Sequence, residues 1–436
     1  MLVMKFGGTS VGSAEMMKRV SQIVRDRIAK KPVVVVSAMS GVTNTLVKVT
    51  ETLGNENAVN SLLTEIEKKH DAAIADLGIP KDTILPVLKE LKETVSRYKV
   101  CTPESSDHIL SFGERFSIRM VSAYMNSNGL KSRFFDAWDI GMITDDNFGE
   151  AEPLASSYKK IKSSLQNVNE IPVITGYIGK TSHGKVTTFG RGGSDYTGAI
   201  IGAAVDSEEI QIWTDVNGIM SCDPRIVKSA KTVPVMSFDE AAELAYFGAR
   251  VLHPKTILPA VKKNIPVRVL NTFEPENPGT VILSKSDGRM AVKGIAAKKN
   301  ITIINVDSIR MLDAHGFLAK VFEIFKDNKK SVDMVSTSEV SISMTIDNDK
   351  NLDKIIEELK LIADVTYENN KAIICVVGEG MKHTPGIAAR TFKVLGDNKI
   401  NIEMITQGAS EINISFVVKN EDAENAMRLL HREYFE

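Results

Sequence analysis

A lysine and two glycines follow the first apolar run of the chain. In "KFGGTS", Lys5 lies two residues before Gly7 and Gly8, at the end of the run "LVMKF". A lysine at the carboxyl end of a strand pairs with phosphate as a compact point charge, and glycines leave room for the phosphate. The structural alternative is a surface lysine beside a tight turn, and this stretch alone does not decide between the two.

A second stretch, "TTFGRGGSDYTG", places three glycines around Arg191 just before a small apolar run. Backbone N–H groups that converge at glycines form a nest for an anion, and the arginine fork suits a carboxylate or a phosphate. Asp195 has two candidate roles, to help hold Mg²⁺ or to orient a transferring phosphoryl group. The structural alternative is a turn in which Ser194 or Asp195 caps the next helix. The spacing matches neither the Walker loop nor G-x-G-x-x-G.

Two further stretches place polar side chains beside predicted helices. In "SAMSGVTN", Ser37 and Thr43 surround a helix start, where N–H groups bind an anion or Ser and Thr cap the helix. In "SFGER", Glu114 lies in an apolar helical stretch. Its carboxylate either binds a substrate ammonium or pairs with Arg115 or Arg119 at the surface.

The stretches "WTDVNGIMSCDPR" and "FGARVLHPKT" contain charged groups in turn-like sequence. Asp215 and Arg225 suit the ribose and phosphates of a nucleotide, and both also occur in ordinary turns. His253 has no Ser-His-Asp or metal-ligand pattern around it. Taken together, one lysine, several glycine loops and a few Arg and Asp residues predict phosphoryl transfer, in which positioning and charge neutralisation do most of the work.

Alternating strands and helices position these residues up to about residue 290. The runs "LVMKF" and "VVVVSA" predict buried parallel strands, joined by an amphipathic helix with Ser13 as its N-cap. Residues 58–129 predict mainly helix. The runs "IPVITGYIG", "EIQIWTDV" and "IPVRVL" predict further strands. This order predicts an α/β fold with a mainly parallel sheet.

An internal repeat follows this region. The stretch that starts at Gly316, "GFLAKVFEIFKDNKKSVDMVS", aligns with "GIAARTFKVLGDNKINIEMIT", which starts at Gly386. Each copy predicts strand, glycine turn, helix, strand, strand and helix, an α+β module of the split-βαβ type. The repeats are either ligand-binding modules or a paired packing domain.

Bulk composition bounds the class of protein. The 436 residues carry a formal net charge of −1, which favours neither nucleic acid nor an anionic membrane as partner. Three widely spaced cysteines predict reduced thiols. No apolar run approaches the ~20 residues of a membrane span, and the first residues do not resemble a signal peptide. We expect a cytoplasmic protein.

The six motifs quoted from the first 290 residues, in this order, closely resemble those of aspartate kinases in the amino acid kinase superfamily, and the repeats resemble a pair of ACT domains. The resemblance implies an amino acid kinase fold, a mainly parallel sheet sandwiched by helices, followed by two ferredoxin-like ACT domains. The implied domains are a catalytic domain at 1–292 and ACT domains at 300–370 and 371–436. ACT modules of this family exchange strands, and "NITIINVDS" completes either the first module or the second.

The resemblance implies transfer of the γ-phosphoryl group of MgATP to the β-carboxylate of L-aspartate, which gives 4-phospho-L-aspartate, the first step of lysine, threonine and methionine biosynthesis. Lys5 and Asp195 carry the catalytic roles, and no residue is assigned as a metal ligand. The residues implied to hold aspartate are Thr43, Glu114, Tyr177, Arg191, Gly192, Gly193 and Ser194. Those implied to hold ATP are Lys5, Gly7, Gly8, Ser37, Thr214, Asp215, Met220, Arg225, Arg250 and Val251.

The repeats resemble those of the lysine-inhibited, single-function class, which implies feedback inhibition by L-lysine. Asp333 is expected to meet an ammonium of lysine. The residues expected to line that site are Met311, Gly316, Phe317, Leu318, Ser331, Val332, Asp333, Thr337, Ser338 and Glu339. Homoserine dehydrogenase, fused to some relatives, is not expected. Self-association through the ACT domains, as a homodimer or a dimer of dimers, is expected.

Two other functions remain open from the sequence. One is another carboxylate kinase of the superfamily, acting on glutamate or N-acetylglutamate. The other is an amino-acid-binding regulator with an inactive α/β half. The paired repeats argue against the first, and the intact Lys5, Arg191, Asp195 and Asp215 argue against the second.

Overall fold

The computed structural model describes residues 1–248, 252–286, 288, 290–308, 315–347, 349–408 and 412–436. Three residues from the predicted sites, Arg250, Val251 and Met311, lie outside this part of the chain. The chain divides into two compact units, which are described separately. Their bounds are Met1–Ile219, Pro234–Phe238 and Val251–Lys285 for the first unit, and Met220–Val233, Asp239–Arg250 and Ser286–Glu436 for the second.

The first unit contains two sheets. Its strands are β1 (Leu2–Phe6), β2 (Pro32–Val36), β3 (Ser132–Phe135), β4 (Ile143–Thr144), β5 (Ile171–Thr175), β6 (Ile178–Thr181), β7 (Val186–Thr188), β8 (Glu209–Thr214), β9 (Val235–Ser237), β10 (Val267–Asn271) and β11 (Thr280–Leu283). The larger sheet has the order β3-β5-β2-β1-β8-β10-β11-β9, and only the β10–β11 pair is antiparallel. The predicted mainly parallel sheet is confirmed.

Helices cover this sheet. The helices up to residue 263 are α1 (Ala14–Arg25), α2 (Val42–Glu51), α3 (Glu56–Leu77), α4 (Leu85–Arg97), α5 (Pro103–Leu110), α6 (Phe112–Ser127), α7 (Ala155–Gln166), α8 (Gly193–Ala204), α9 (Phe238–Tyr246) and α10 (Leu258–Lys263), and all of them belong to the first unit except α9, which after Phe238 belongs to the second. Short 3₁₀ turns lie at Ile28–Lys30, Lys81–Thr83, Ala137–Ile140 and Pro254–Ile257. The Ser13 side chain accepts a hydrogen bond from the N–H of Met16 and caps α1, as the sequence predicts.

The central strands are apolar because both of their faces are covered. All five residues of β1 and all five of β2 are buried, and they pair in register from Leu2 with Pro32 to Phe6 with Val36. Trp213 of β8 is fully buried and stacks with Phe6 at a centroid distance of 5.8 Å. The carboxyl ends of β1, β2 and β8 therefore lie side by side at one edge of the sheet.

The second unit is built around one six-stranded antiparallel sheet. Its strands are β12 (Gly294–Asp307), β13 (Val335–Thr337), β14 (Ser341–Ile346), β15 (Asp364–Val377), β16 (Met404–Thr406) and β17 (Asn413–Lys419), in the order β13-β14-β12-β15-β17-β16. Its helices beyond α9 are α11 (Phe317–Asp327), α12 (Leu352–Lys360), α13 (Ile387–Asp397) and α14 (Ala423–Phe435), with 3₁₀ turns at Glu379–His383 and Asn420–Asp422. Both repeats have the predicted α+β pattern.

The two repeats share the long strands β12 and β15. The second half of β12, residues 301–307, pairs with β14 and with the first half of β15. The first half of β12, residues 294–299, pairs with residues 372–377 of β15, which also pair with β17. "NITIINVDS" therefore belongs to the first repeat, and the six residues before it complete the sheet of the second.

Within the part of the chain that the structure describes, no helix is long and apolar enough to cross a membrane.

Candidate active site

Lys5 and Asp195 form a buried ion pair in the first unit. Lys5 is 8% exposed, and its Nζ lies 2.6 Å from Oδ1 of Asp195. This contact joins opposite charges, and Asp195 Oδ1 has no other hydrogen-bond partner among the described residues. Gly198 permits the close approach of α8 to β1, because a Cβ there would lie 3.3 Å from Lys5 Cβ. Two charges 190 positions apart in the chain thus meet where β1 ends.

Glycines, not side chains, shape the start of α8. Gly192 is the N-cap, with φ of 73° and no side-chain cap, and Gly190 has φ of 71°. The alternative that Ser194 or Asp195 caps this helix is wrong, because both residues lie inside its first turn. Asp195 instead turns its carboxylate to Lys5, at the helix end where the backbone dipole favours negative charge. Ser194 is buried against Gly176.

Arg191 lies just before this helix and is exposed. Within the described chain, its guanidinium forms neither an ion pair nor a hydrogen bond. An unpaired guanidinium beside N–H groups of a helix start can receive a carboxylate through both ends of its fork.

Glu114 is a buried carboxylate without a cationic partner. It is 3% exposed in the first turn of α6, and its Oε1 accepts a hydrogen bond from the N–H of Ala38 at 3.1 Å. Its Oε2 is buried and has no hydrogen-bond partner among the described residues. Burial raises the pKa of Glu114 to about 8, although the Ala38 hydrogen bond and the charge of Lys5 act in the opposite direction.

The alternative that Glu114 pairs with neighbouring arginines is wrong. Arg115 and Arg119 share Asp136, and Arg115 also binds Glu90. Glu114 is therefore free to accept an ammonium at Oε2. The positive charge of that ammonium compensates the buried negative charge of the carboxylate.

The loops after β1 and β2 pack tightly against each other and against β8. The N–H of Gly7 donates to the carbonyl of Trp213 at 2.9 Å, and the N–H of Ser40 donates to the carbonyl of Gly8 at 3.2 Å. A Cβ on Gly8 would lie 3.1 Å from the carbonyl oxygen of Ala38. The small residues therefore bring the backbones of the two strand ends together, as a phosphate cradle requires.

Helix α2 begins at this edge without a side-chain cap. Its N-cap is Gly41, with φ of 84°, so the alternative that Ser or Thr caps this helix is wrong. Thr43 lies half-buried in the first turn, and Ser37 is half-buried where β2 ends. The N–H of Val42 donates to the Met39 carbonyl, and those of Thr43 and Asn44 are left to water or to a bound anion.

Tyr177 lies between β5 and β6 with φ of 68°. Its N–H donates to Thr197 Oγ1 at 3.0 Å, and its carbonyl accepts from the N–H of Phe189 at 2.9 Å. These contacts secure a conformation that is uncommon for a non-glycine residue. Burial raises the pKa of Tyr177 to about 12, so that its hydroxyl stays protonated at neutral pH. Gly193 permits the contact of the ring with α8.

The predicted nucleotide contacts fall in both units. Thr214 ends β8, and its hydroxyl donates to Asp215 Oδ1 at 3.0 Å. In the second unit, Met220 Sδ accepts from Thr232 at 3.6 Å, and Arg225 binds both carboxylate oxygens of Asp223. The Arg225 side chain is 85% exposed, so that its guanidinium remains reachable.

The first repeat contains the residues predicted to bind lysine. Asp333 Oδ1 lies 2.8 Å from Lys298 Nζ and accepts from the Tyr246 hydroxyl at 2.6 Å. Asp333 Oδ2 is buried and without a hydrogen-bond partner among the described residues. Asp333 is therefore already paired with a lysine of the chain, and one oxygen remains to accept an additional donor.

The other residues of this set lie at two places along the repeat. Gly316, with φ of 87°, caps α11 without a side chain, and Phe317 and Leu318 form its first turn. Ser331 and Val332 immediately precede Asp333. Thr337, Ser338 and Glu339 are exposed at the other end of β13, and the hydroxyl of Ser338 is 2.7 Å from that of Ser341. They lie four to six residues beyond Asp333, roughly 13–20 Å along an extended chain.

Asp107 is a positioning residue that sequence reasoning missed. Its carboxylate accepts hydrogen bonds from the N–H groups of Gly149 and Thr188 and from the Thr188 hydroxyl, at 2.8–2.9 Å. Burial raises its pKa, and these three hydrogen bonds oppose that effect. The carboxylate thereby fixes β7, which leads into the stretch around Gly190. The helix PESSDHIL is mostly polar, so nothing in the sequence singled out Asp107.

Among the described residues, no group of three or more His, Cys, Asp or Glu side chains is placed to hold a metal ion. Asp195 lies beside the end of β1, and its Oδ1 is already in contact with Lys5 Nζ at 2.6 Å.

Comparisons with known proteins agree with this geometry. The model of the amino acid kinase family matches residues 1–271, and that of the ACT domain matches residues 304–354 and 374–434. "Aspartokinase 2, chloroplastic" of Arabidopsis thaliana is 44% identical and covers 100% of this chain and 84% of its own length. "Lysine-sensitive aspartokinase 3" of Escherichia coli is 36% identical, with 100% and 99% coverage. The crystal structure of E. coli aspartokinase III with aspartate and ADP superposes with a TM-score of 0.85 at 34% identity and full coverage of both chains.

Proposed function

The chain belongs to the amino acid kinase family and, within it, to the aspartokinases, and on this basis we propose that it phosphorylates the β-carboxylate of L-aspartate with MgATP. The observation that carries the proposal is the buried Oε2 of Glu114, an ammonium acceptor without a partner, near the charge of Lys5. One group suits the amine of an amino acid, and the other suits a phosphoryl group. The product is 4-phospho-L-aspartate, the first intermediate of lysine, threonine and methionine biosynthesis.

Aspartate binds through its charged groups. Glu114 accepts the α-ammonium, and the exposed fork of Arg191 receives a carboxylate. The aspartate site is also lined by the first turn of α8, with Gly192, Gly193 and Ser194, and by Thr43 and Tyr177. The protonated hydroxyl of Tyr177 supplies a donor that does not ionise at neutral pH.

In the chemical step, an oxygen of the aspartate β-carboxylate attacks the γ-phosphorus, and the bond from that phosphorus to the bridging oxygen of ADP breaks. The nucleophile is already anionic, so no general base is required. Lys5 neutralises charge on the transferring phosphoryl group, and Asp195 holds Lys5 at the end of β1. Gly8 leaves its backbone N–H for phosphate and Ser37 its hydroxyl, whereas the N–H groups of Gly7 and Ser37 already donate to the carbonyls of Trp213 and Phe6. Mg²⁺ bound with ATP would neutralise phosphate charge, and Asp195 is the carboxylate that would help to hold it.

Nucleotide contacts are assigned to Thr214, Asp215, Met220 and Arg225, and by motif to Arg250 and Val251. We assign the catalytic domain to 1–292 and the ACT domains to 300–370 and 371–436, with residues 294–299 completing the second. The enzyme acts in the cytoplasm.

L-Lysine inhibits through the first ACT domain, in agreement with the name of the E. coli relative. The buried, unpartnered Oδ2 of Asp333 accepts its ammonium. Thr337, Ser338 and Glu339 lie too far along β13 for one lysine molecule to touch them and Asp333 of the same chain. A second copy of the chain supplies one of the two sets, which favours a homodimer or a dimer of dimers.

The deciding experiment measures hydroxylamine-trapped acyl phosphate from purified protein with MgATP. Aspartate, glutamate and N-acetylglutamate are compared, each with and without lysine. We expect product from aspartate alone and its loss with lysine. Product only from another acid would replace the substrate, and nucleotide binding without turnover of any acid would identify an inactive regulator.

A further inference from the structure

The segment of residues 220–233 carries a candidate nucleotide contact, Arg225, yet it packs as part of the second repeat. Cys222 and Val227 are 3% and 6% exposed and belong to the same hydrophobic cluster as the inner face of α14. The carbonyl of Ser221 accepts a hydrogen bond from the N–H of Ile295, at the start of β12, at 2.8 Å. The segment is thus anchored at its base by elements of the second repeat.

One buried hydrogen bond joins the base of this segment to α14. Ser221 Oγ lies 3.0 Å from Nε2 of His431, and the two residues are 1% and 0% exposed. Ser221 also pairs with Lys231, because its N–H donates to the Lys231 carbonyl and its Oγ accepts from the Lys231 N–H. Ser221 therefore closes the segment into a loop, and His431 holds the point of closure.

The protonation of His431 follows from its neighbours. Burial lowers its pKa, so the ring is neutral near pH 7, although Glu436 acts in the opposite direction. Nδ1 lies 3.6 Å from Glu436 Oε1, which favours the proton on Nδ1. Nε2 is then the acceptor, and the Ser221 hydroxyl, which already accepts from Lys231, donates to it. Nδ1 itself has no hydrogen-bond partner among the described residues, because 3.6 Å exceeds hydrogen-bond distance.

Weaker contacts reinforce the same junction. Arg428 Nε donates to the carbonyl of Ile226 at 3.2 Å, and the Ser229 hydroxyl donates to Glu436 Oε1 at 2.5 Å. Both contacts are exposed and contribute little. The Ser221–His431 bond is buried, and its loss would leave a hydroxyl without an acceptor.

We propose that His431, in the last helix of the second ACT repeat, is a positioning residue for ATP, because it fixes the loop that presents Arg225. This inference rests on the proposed function. His431 contacts no substrate and acts through Ser221. Its loss lets the loop open, so that fewer molecules present Arg225 in the binding arrangement and the apparent affinity for ATP falls.

The test compares His431→Leu, which removes the acceptor, with His431→Gln, whose amide oxygen can take the place of Nε2. We expect His431→Leu to raise the KM for ATP about three- to tenfold, the worth of one buried hydrogen bond, with the KM for aspartate unchanged. His431→Gln is expected to restore the KM for ATP to within about twofold. Ser221→Ala removes the same bond from the other side and replaces His431→Leu if that variant does not fold.

Tyr434→Phe is the matched control. Tyr434 also lies on α14, but its hydroxyl bonds to Thr391 and to the carbonyl of Ile387 in α13. This variant is expected to lose thermal stability and to keep the KM for ATP. Equal KM values in His431→Leu and wild type, or an equal rise in Tyr434→Phe, would overturn the inference. Absence of acyl phosphate from the wild-type enzyme would refute the proposed function instead, and ATP titration by calorimetry would then compare the same variants.

Discussion

The titration of Glu114 gives the sharpest test of the aspartate site. In the free enzyme, the pKa of the Glu114 carboxyl is about 8, because burial disfavours its charged form. An aspartate ammonium at Oε2 requires the charged form. Aspartate binding therefore releases a proton whenever Glu114 is protonated in the free enzyme. The variant that tests this is Glu114→Gln.

The magnitude follows from the pKa. If only the ionised form binds, the KM for aspartate scales as one plus the ratio of protonated to ionised Glu114. With a pKa of about 8, the KM is about 25-fold higher at pH 6.5 than at pH 8.5. Glu114→Gln cannot ionise, so its KM is expected to be raised about 10- to 100-fold at pH 8.5 and to be flat over this range.

The same pKa predicts the stability of the free enzyme. A carboxyl whose pKa is raised from 4.5 to about 8 binds more protons folded than unfolded, so its contribution is complete below pH 4.5 and is lost as pH rises to 8. The loss amounts to about 5 kcal/mol at 1.4 kcal/mol per pKa unit. Glu114→Gln is expected to lack this decline and to be more stable than wild type at pH 9.

The assay is the initial rate of acyl-phosphate formation at saturating MgATP, at pH 6.5, 7.5 and 8.5, with thermal unfolding at the same pH values. Glu93→Gln is the control, because Glu93 is half-exposed on α4 and should leave the pH dependence unchanged. A wild-type KM that does not vary with pH, or a Glu114→Gln variant that keeps the dependence, would refute the assignment of Glu114 to the ammonium.

Three further predictions concern the chemical step, regulation and folding. Lys5→Ala should lower kcat about 10²- to 10³-fold because it removes charge from the phosphoryl group, whereas the exposed Lys255→Ala should stay within about twofold; equal losses in rate assays would contradict the role of Lys5. Asp333→Ala should raise the lysine concentration for half inhibition at least about tenfold, with exposed Asp353→Ala as control, and unchanged inhibition would place the site elsewhere. Phe325→Ala, in the core of the first repeat, should cost about 3–5 kcal/mol and Phe322→Ala, 39% exposed on the same helix, clearly less; similar unfolding temperatures in calorimetry would contradict the packing.

Much of the fold was predictable because buried strands and repeats leave strong patterns. The run at 33–36 is β-branched throughout, which only a strand covered on both faces favours. The break in "IPVITGYIG" was not predictable, since Tyr177 adopts a φ of 68° that separates β5 from β6 and sends them to different sheets. Tertiary hydrogen bonds hold that conformation, and local sequence does not encode them.

The motifs indicated which residues do chemistry but not how they are arranged. The sequence permitted Ser194 or Asp195 as a helix cap, and glycine geometry took that role instead. It likewise permitted Glu114 to pair with adjacent arginines. In the structure these arginines pair with Glu90 and Asp136, which are distant in the sequence. In both cases the partner of the charged group lies far away in the sequence, as Lys5 does from Asp195. A single sequence does not show which distant residues are in contact.

Because the two repeats share β12, the boundaries of the repeats in the sequence differ from the boundaries of the units that can fold. A fragment that starts at residue 300 would hold both repeats by sequence, yet it would lack residues 294–299 and expose the edge of β15. Such an edge pairs with whatever strand is available, including the exposed β15 edge of another molecule of the fragment. Fragments of the regulatory half should therefore begin before Gly294, and shorter ones should associate or aggregate.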